Sequence, residues 1–570
     1  MGLSIVISGA IMMLAIVFVL FSIPGLLGTI TSIGDVSSEV SDLENSILET
    51  DISLDSLAAT SGKASLTFNL NNDDLEKLWN YDYFDVLVTY DADVSGTKTR
   101  VTEIIPFGGY LDYSILDEVV STSADTVVTT SYTLLNDMTS RVTIDGLGSH
   151  VLFWGQASFD VDSGGGDASC YLALFIDGSM VAEGIAYVDD DSPEEPGSVT
   201  LAWWETGLSS GTHTFELQKK EGQTDCIADT NSERSMQIIE FTSDVPISIL
   251  GEVKNTGADT TVTSSYEVIG SGGDTMTSTV TVGGTSSVLM ISGTVTIECA
   301  SCDAAAGIGI DVDGTIVAEG MESSDNGNEE GNVSLVWWET GLSSGLHTFE
   351  LHWKDTKNGT PQISQDVQKH LQIVEFTGPD VPTILDEITS ISPDTTATSS
   401  YTLINDMTTS PTVAGTGSLL LASGTVTYDS DSGDTDCQTG LHIDSILVSE
   451  VHHFVDDDNN EPSSHTVLWA DTGLSAGSHT WDMRFKEPSQ TGCIVDIEMQ
   501  RHMQVIEFPC PKEWSIVSIT NDLVDPGILN IDEIAQICIT LNNPIFSNGI
   551  VIVSISTDNG ITATISGIVT

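Results

Sequence analysis

Hydrophobic and polar positions follow three successive patterns along this chain. From Met1 to Gly34 no side chain is charged, and LSIVISGAIMMLAIVFVLF is apolar without a break. A run of ~20 such residues is what an α-helix needs to cross a bilayer, so 1–34 is expected to be a transmembrane helix. MGLS holds no Lys or Arg for the basic region of a cleaved signal, so the helix is expected to be retained; Val6 stands where N-myristoylation needs a hydroxyl. Next, Val36, Val40, Leu43 and Ile47 recur at spacings of 4, 3 and 4, a short a/d seam that predicts a helical neck over 35–60. Beyond it the period falls to two. Stretches such as ASGTVTYDS and HTFEL, rich in Thr and Val and separated by Gly, Ser, Asn and Asp clusters, predict strands to the end of the chain.

The strand-rich region repeats. TGLSSGTHTFEL from Thr206, TGLSSGLHTFEL from Thr340 and TGLSAGSHTWDM from Thr472 are in register with SYTLLNDM, SYEVIG and SYTLINDM upstream and with MQIIEF, LQIVEF and MQVIEF downstream. A period of about 130 residues is a complete domain rather than a solenoid unit. Three jelly-roll-like sandwiches, or beads, are therefore expected over 116–244, 245–379 and 380–509. Gly211, Gly345 and Gly477 mark a tight turn in each, and His213, His347 and His479 just after it read as structural hydrogen-bonding residues. The flanks, 61–115 and 510–570, carry about three and four strands respectively, together the ~7 of an immunoglobulin-like sandwich. The fold class expected is thus all-β and multidomain, with one N-terminal transmembrane helix and a sandwich interrupted by the three beads.

Charge and cysteine usage narrow the setting. The 570 residues include 84 Asp plus Glu against 16 Lys plus Arg, a formal net charge of −68 that argues against nucleic acid as a partner. Cys170 and Cys226 lie 56 apart, as do Cys437 and Cys493 at the same places in bead three, and bead two lacks both. Joint loss is what a crosslink predicts, so these form two disulfides and imply an oxidising, extracellular body. Cys299 and Cys302 read as a small local disulfide; Cys510 and Cys538, in the C-terminal region, complete the disulfide set.

Candidate chemistry is sparse. Oxygen-rich loops hold Asp189, Asp191 and Glu194, then Asp325 and Glu329, then Asp456 and Asp458, a side-chain set that suits Ca²⁺. His452, His453 and His465 near the third loop would suit a transition metal. In the pairs Trp203–Trp204 and Trp337–Trp338 one ring of each belongs to the core; the other, Trp204 or Trp338, is a sugar-stacking platform or part of an interface. Asn332 and Asn358 head glycosylation sequons. HExxH, G-x-S-x-G, Walker and Rossmann patterns are missing, so no enzyme is expected and no cofactor is required, with Ca²⁺ the cation to consider.

The flanks also carry a resemblance. The uncharged N-terminal helix, LEKLWNYDYFDVLVTYD (Leu75 to Asp91, with Leu78, Trp79, Phe84, Asp85 and Val86) and ITNDLVDPGILNIDE (with Asp525 to Asn530) together look like archaellum accessory proteins of the FlaF and FlaG type. The resemblance covers roughly the first hundred and last sixty residues. It implies a pilin-like membrane helix carrying a β-sandwich on the outer side of an archaeal membrane, where the sandwich engages the surface layer or polymerises to anchor the filament as a stator. The expected partners are the membrane, surface-layer or other surface proteins, and further copies of the chain through the N-terminal helix. The alternative is a pilin-like filament subunit or adhesin whose beads bind glycans or cations.

Overall fold

The computed structural model describes residues 51–569 apart from short internal segments, chiefly 162–167, 189–195, 299–303, 325–329, 456–461 and 520–527. The expected transmembrane helix and the seam of Val36, Val40, Leu43 and Ile47 lie outside the described residues. Among the described residues the secondary structure is β apart from the short turn of helix Tyr81–Tyr83, and no helix is long and apolar enough to cross a membrane.

One expectation changes at once. Ile52–Ala59, placed by the upstream spacing at the end of a helical neck, is a strand paired antiparallel with Ser65–Asn72. Its Ile52 is buried, and Leu54 and Leu57 pack on the same core. The ladder to Ser65–Asn72 bonds the backbone groups that face it and helps to bury these side chains, which a two-heptad seam ending at Ile47 does not do for residues beyond it.

The chain separates into two compact units: Leu111–Pro511, and the flanking segments up to Tyr110 and from Lys512 onward. The flanking unit is a sandwich of a five-stranded and a four-stranded sheet. Both sheets mix the two flanks. Ser65–Asn72 pairs with Ile534–Thr540, and Asp85–Val94 pairs with Ile550–Ser556. Leu78 and Leu529 exchange backbone hydrogen bonds at 3.0 and 2.9 Å, while the Tyr81 hydroxyl accepts from Leu529 N–H at 3.1 Å. Between the sheets Trp514 packs on Phe107, ring centroids 4.4 Å apart, and on Tyr81.

Within Leu111–Pro511 each bead is a two-sheet sandwich, and strand order repeats. In bead one the first sheet runs Gly197–Thr206, His150–Val161, Arg234–Phe241, Tyr113–Ser121; the second runs Ser179–Val188, Ala168–Ile176, Gly211–Glu221, Thr133–Ile144. The two sheets differ in a way the side chains explain. Gly211–Glu221 alternates buried and part-exposed residues, one face on the core and one in water. Arg234–Phe241 is buried along its whole length, and Gly197–Thr206 at all but its last two residues. A strand buried on both faces needs a second neighbour, and here that neighbour is another bead.

Candidate functional site

The beads close on one another in a ring, and the contacts repeat cyclically. Gln372 of bead two accepts the Trp204 N–H of bead one at 3.0 Å and donates to its carbonyl at 3.0 Å. Gln504 of bead three does the same to Trp338 of bead two, both at 2.8 Å, and Gln237 of bead one does so to Ala470 of bead three at 2.8 and 2.9 Å. Each glutamine thus acts as one more residue of the neighbour's edge strand, satisfying the N–H and C=O that an edge leaves open. Nearer the centre, hydroxyls close a second cycle: Thr200 donates to the Thr466 carbonyl, Thr466 to that of Ser334, and Ser334 to that of Thr200.

Phe241, Phe376 and Phe508, the last residues of MQIIEF, LQIVEF and MQVIEF, meet at the centre with centroids 5.1 to 6.1 Å apart. Trp204 packs on Phe241 and Phe376, and Trp338 on Phe376 and Phe508. The third such place belongs to Ala470, and the Tyr113 ring covers Phe241 and Phe508 instead. The Tyr113 hydroxyl also donates to the carbonyls of Phe508 and Pro509, tying the two ends of the ring together.

At the rim each seam carries a Lys–Tyr–Glu set. Tyr132 donates to Glu183, Tyr266 to Glu319 and Tyr401 to Glu450, at 2.6 to 2.8 Å. Lys220, Lys354 and Lys486 sit 4.5 to 4.6 Å from the respective ring centroids. Each glutamate also accepts a backbone N–H from the next bead, those of Gln368, Gln500 and Glu233. Burial and the facing carboxylate push all three phenols up, so they remain donors at every physiological pH.

Repeat-equivalent positions diverge at one end of the centre, where Ala186, Glu322 and His453 stand. His453 Nδ1 accepts from Ser198 N–H at 3.1 Å, and its Nε2 lies 3.6 Å from Glu322 Oε1, so one imidazole of bead three touches beads one and two. Burial lowers His453 to about 3 and raises Glu322 well above the usual carboxylate range. Both shifts oppose the charged forms an ion pair needs, and at 3.6 Å the two groups are in polar contact without a hydrogen bond. His452 pairs with Asp229 of bead one at 2.7 Å, and His465 Nδ1 contacts Thr439 at 2.7 Å. All three histidines expected near the acidic loop are buried: His452 and His453 reach the neighbouring beads, and His465 lies behind them against Thr439 and Tyr428 of its own bead.

The seam between beads one and two also gathers Glu298, Glu330 and Asp366, with one oxygen of each within 4.8 Å of the others. Burial, with the neighbouring acids, pushes Glu330 up to about 7 and Glu298 upward, and Ser364 donates to Glu330 at 2.8 Å.

Several residues named from the sequence have other places. Trp204 and Trp338 are 1% and 2% exposed, so neither offers a ring face to a sugar; both serve the interface between beads. Asn332 is 4% exposed in the strand Glu330–Thr340, and its amide donates to Ser334, which leaves no accessible acceptor for a glycan. Cys170–Cys226 and Cys437–Cys493 are disulfides, as the paired loss in bead two predicts. Cys538 is disulfide-bonded, whereas Cys299, Cys302 and Cys510 lie outside the described residues, as do Asp189, Asp191, Glu194, Asp325, Glu329, Asp456, Asp458 and Asn358. The repeated histidines are turn pins: His213, His347 and His479 bond Asp177, Asp313 and Asp444 at 2.5 to 2.6 Å, and the preceding Gly211, Gly345 and Gly477 have φ of 131°, 140° and 139°.

No protein-family model matches the chain, and no curated protein matches it. Among solved structures it is similar to PNGase F, a glycosylasparaginase from Flavobacterium meningosepticum, at 8% identity and TM-score 0.22 over 46% of this chain and 96% of that one. It is also similar to PNGF-II, at 9% identity and TM-score 0.20 over 75% and 98% of the two chains. The tandem CBM22-1-CBM22-2 domain of Paenibacillus barcinonensis Xyn10C gives 12% identity and TM-score 0.15 over 47% and 99%. Likenesses this low carry no argument about fold or function.

Proposed function

We propose that this chain is a membrane-anchored protein of the outer cell surface that works by binding and mechanical anchoring, not by catalysis. The N-terminal apolar run is the anchor, the interrupted sandwich is the archaellum-accessory part, and the three beads form its binding head. The observation that carries this reading is the closed ring: one cycle of Gln–backbone pairs, one of hydroxyls and three Lys–Tyr–Glu rims lock the beads into a single body. A body held at three seams resists being pulled apart better than beads on flexible linkers, since several buried contacts must open together. Two disulfides support an extracellular setting. Ca²⁺ remains the cation proposed for the acidic loops.

Protease treatment of intact cells expressing the tagged full chain tests the placement. Release of head fragments without lysis is expected, and full protection of the head overturns the proposal. Deleting the gene then separates the two roles: loss of swimming with normal surface attachment supports the stator reading, whereas loss of attachment with normal swimming supports the adhesin.

A further inference from the structure

The outer sheets of the three beads set the same three places side by side, and their occupants differ. In bead one Phe175 lies opposite Glu216, with Gln218 two residues farther along the strand. In bead three His442 lies opposite Asp482, followed by Arg484. In bead two Asp311 lies opposite Glu350, followed by His352. Of the three, bead two alone sets two carboxylates directly across a ladder, an arrangement that repels. Its relatives within the chain avoid the problem. Gln218 donates to Glu216 at 2.7 Å, and Arg484 brings a full positive charge to Asp482 at 2.7 Å.

We infer that Asp311, Glu350 and His352 form a binding site for a divalent transition-metal ion of the Zn²⁺ type, which occupies electrostatically the place that the Arg484 guanidinium takes in bead three. A ligand atom from each residue lies within 4.8 Å of the other two. Ligands of one ion bound at ~2.1 Å lie at most about 4.2 Å apart, so small side-chain rotations close the set. The carboxylates are already held: Gly314 N–H donates to Asp311 Oδ1 at 2.7 Å and Thr277 to Glu350 Oε1 at 2.9 Å, the outer-shell bonds that orient metal ligands. Asp311 is 2% exposed, which removes competing water from one side, whereas the Glu350 and His352 side chains are 20% and 14% exposed and leave a path for the ion. Two carboxylates with an imidazole nitrogen favour a borderline metal over Ca²⁺, which takes oxygen ligands. The His352 Nε2 now 3.0 Å from Glu350 Oε2 would turn to the ion.

Titration of the full-length protein in detergent with Co²⁺, followed by its visible absorption and displaced by Zn²⁺, tests this at ~0.2 M salt, where diffuse attraction to the acidic surface is screened. One saturable equivalent is expected. It is lost in Asp311→Asn and in His352→Gln, and kept in Glu216→Gln of bead one. Asp311→Asn keeps the Gly314 acceptor and relieves repulsion, so without metal it should melt no lower than the parent; if it does melt lower, Glu350→Gln replaces it in the titration. Absence of a saturable equivalent, or its survival in Asp311→Asn and Glu350→Gln, overturns the site.

Discussion

Replacing Gln504 by Leu probes the ring at one seam. Leu fills nearly the same volume, but the Trp338 N–H and C=O, each bonded to Gln504 at 2.8 Å, lose their partners in a place closed to water. Leaving a buried backbone group unpaired costs about 1–3 kcal/mol, so the pair should cost roughly 3 kcal/mol after partial relaxation. How that cost appears depends on cooperativity. If Leu111–Pro511 melts as one unit of roughly 400 residues, its unfolding entropy is ~0.8 kcal/mol/K and the midpoint falls by about 4 °C in a single transition. If a bead of ~130 residues melts by itself, the same cost lowers its own transition by about 11 °C and splits the thermogram. Differential scanning calorimetry of the full chain reads this directly. An unchanged midpoint would show that the seam stabilises nothing, and a split thermogram would refute the ring as one cooperative body.

Three further outcomes follow from the same structure. Removing Cys170–Cys226 by a double Cys→Ala change frees a loop of 56 residues and should cost about 4 kcal/mol by chain entropy, read as a lower denaturation midpoint, with a similar loss for Cys437–Cys493. Burial, helped by nearby Lys254, lowers His370 to about 4, so its unfolded form binds a proton that the folded form refuses: stability is full above pH ~6.5 and is lost as pH falls toward 4. Lowering the pH from 7.5 to 5 should therefore cost the parent about 2 kcal/mol more than it costs His370→Gln, and parallel pH–stability curves would contradict this. Leu529→Ala, at a fully buried residue of the interrupted sandwich, should cost ~2–5 kcal/mol in that unit and leave the transition of Leu111–Pro511 in place, as two resolved calorimetric peaks would report.

The sequence alone determined the all-β class, the three repeats and two of the disulfides, because these depend on local pattern: alternation along a strand, glycine in a tight turn, and two cysteines lost together. ITNDLVDPGILNIDE could likewise be matched to the earlier flank, and Leu529 indeed bridges Leu78. The ring depended on tertiary structure, since nothing local says what covers the second face of a strand. One clue was present. GSVTLAWWET and MQIIEF lack the alternation of GTHTFEL, and the single Gln recurs in all three closing strands. An amide kept in an apolar strand at every repeat is there to meet a backbone across a seam. Position on a strand leaves Trp204 and Trp338 as either a platform or an interface; only packing decides that they face Phe376 and not water. The same holds for Asp311 and Glu350, distant in sequence, which cross-strand register sets opposite each other in bead two and in neither of its copies.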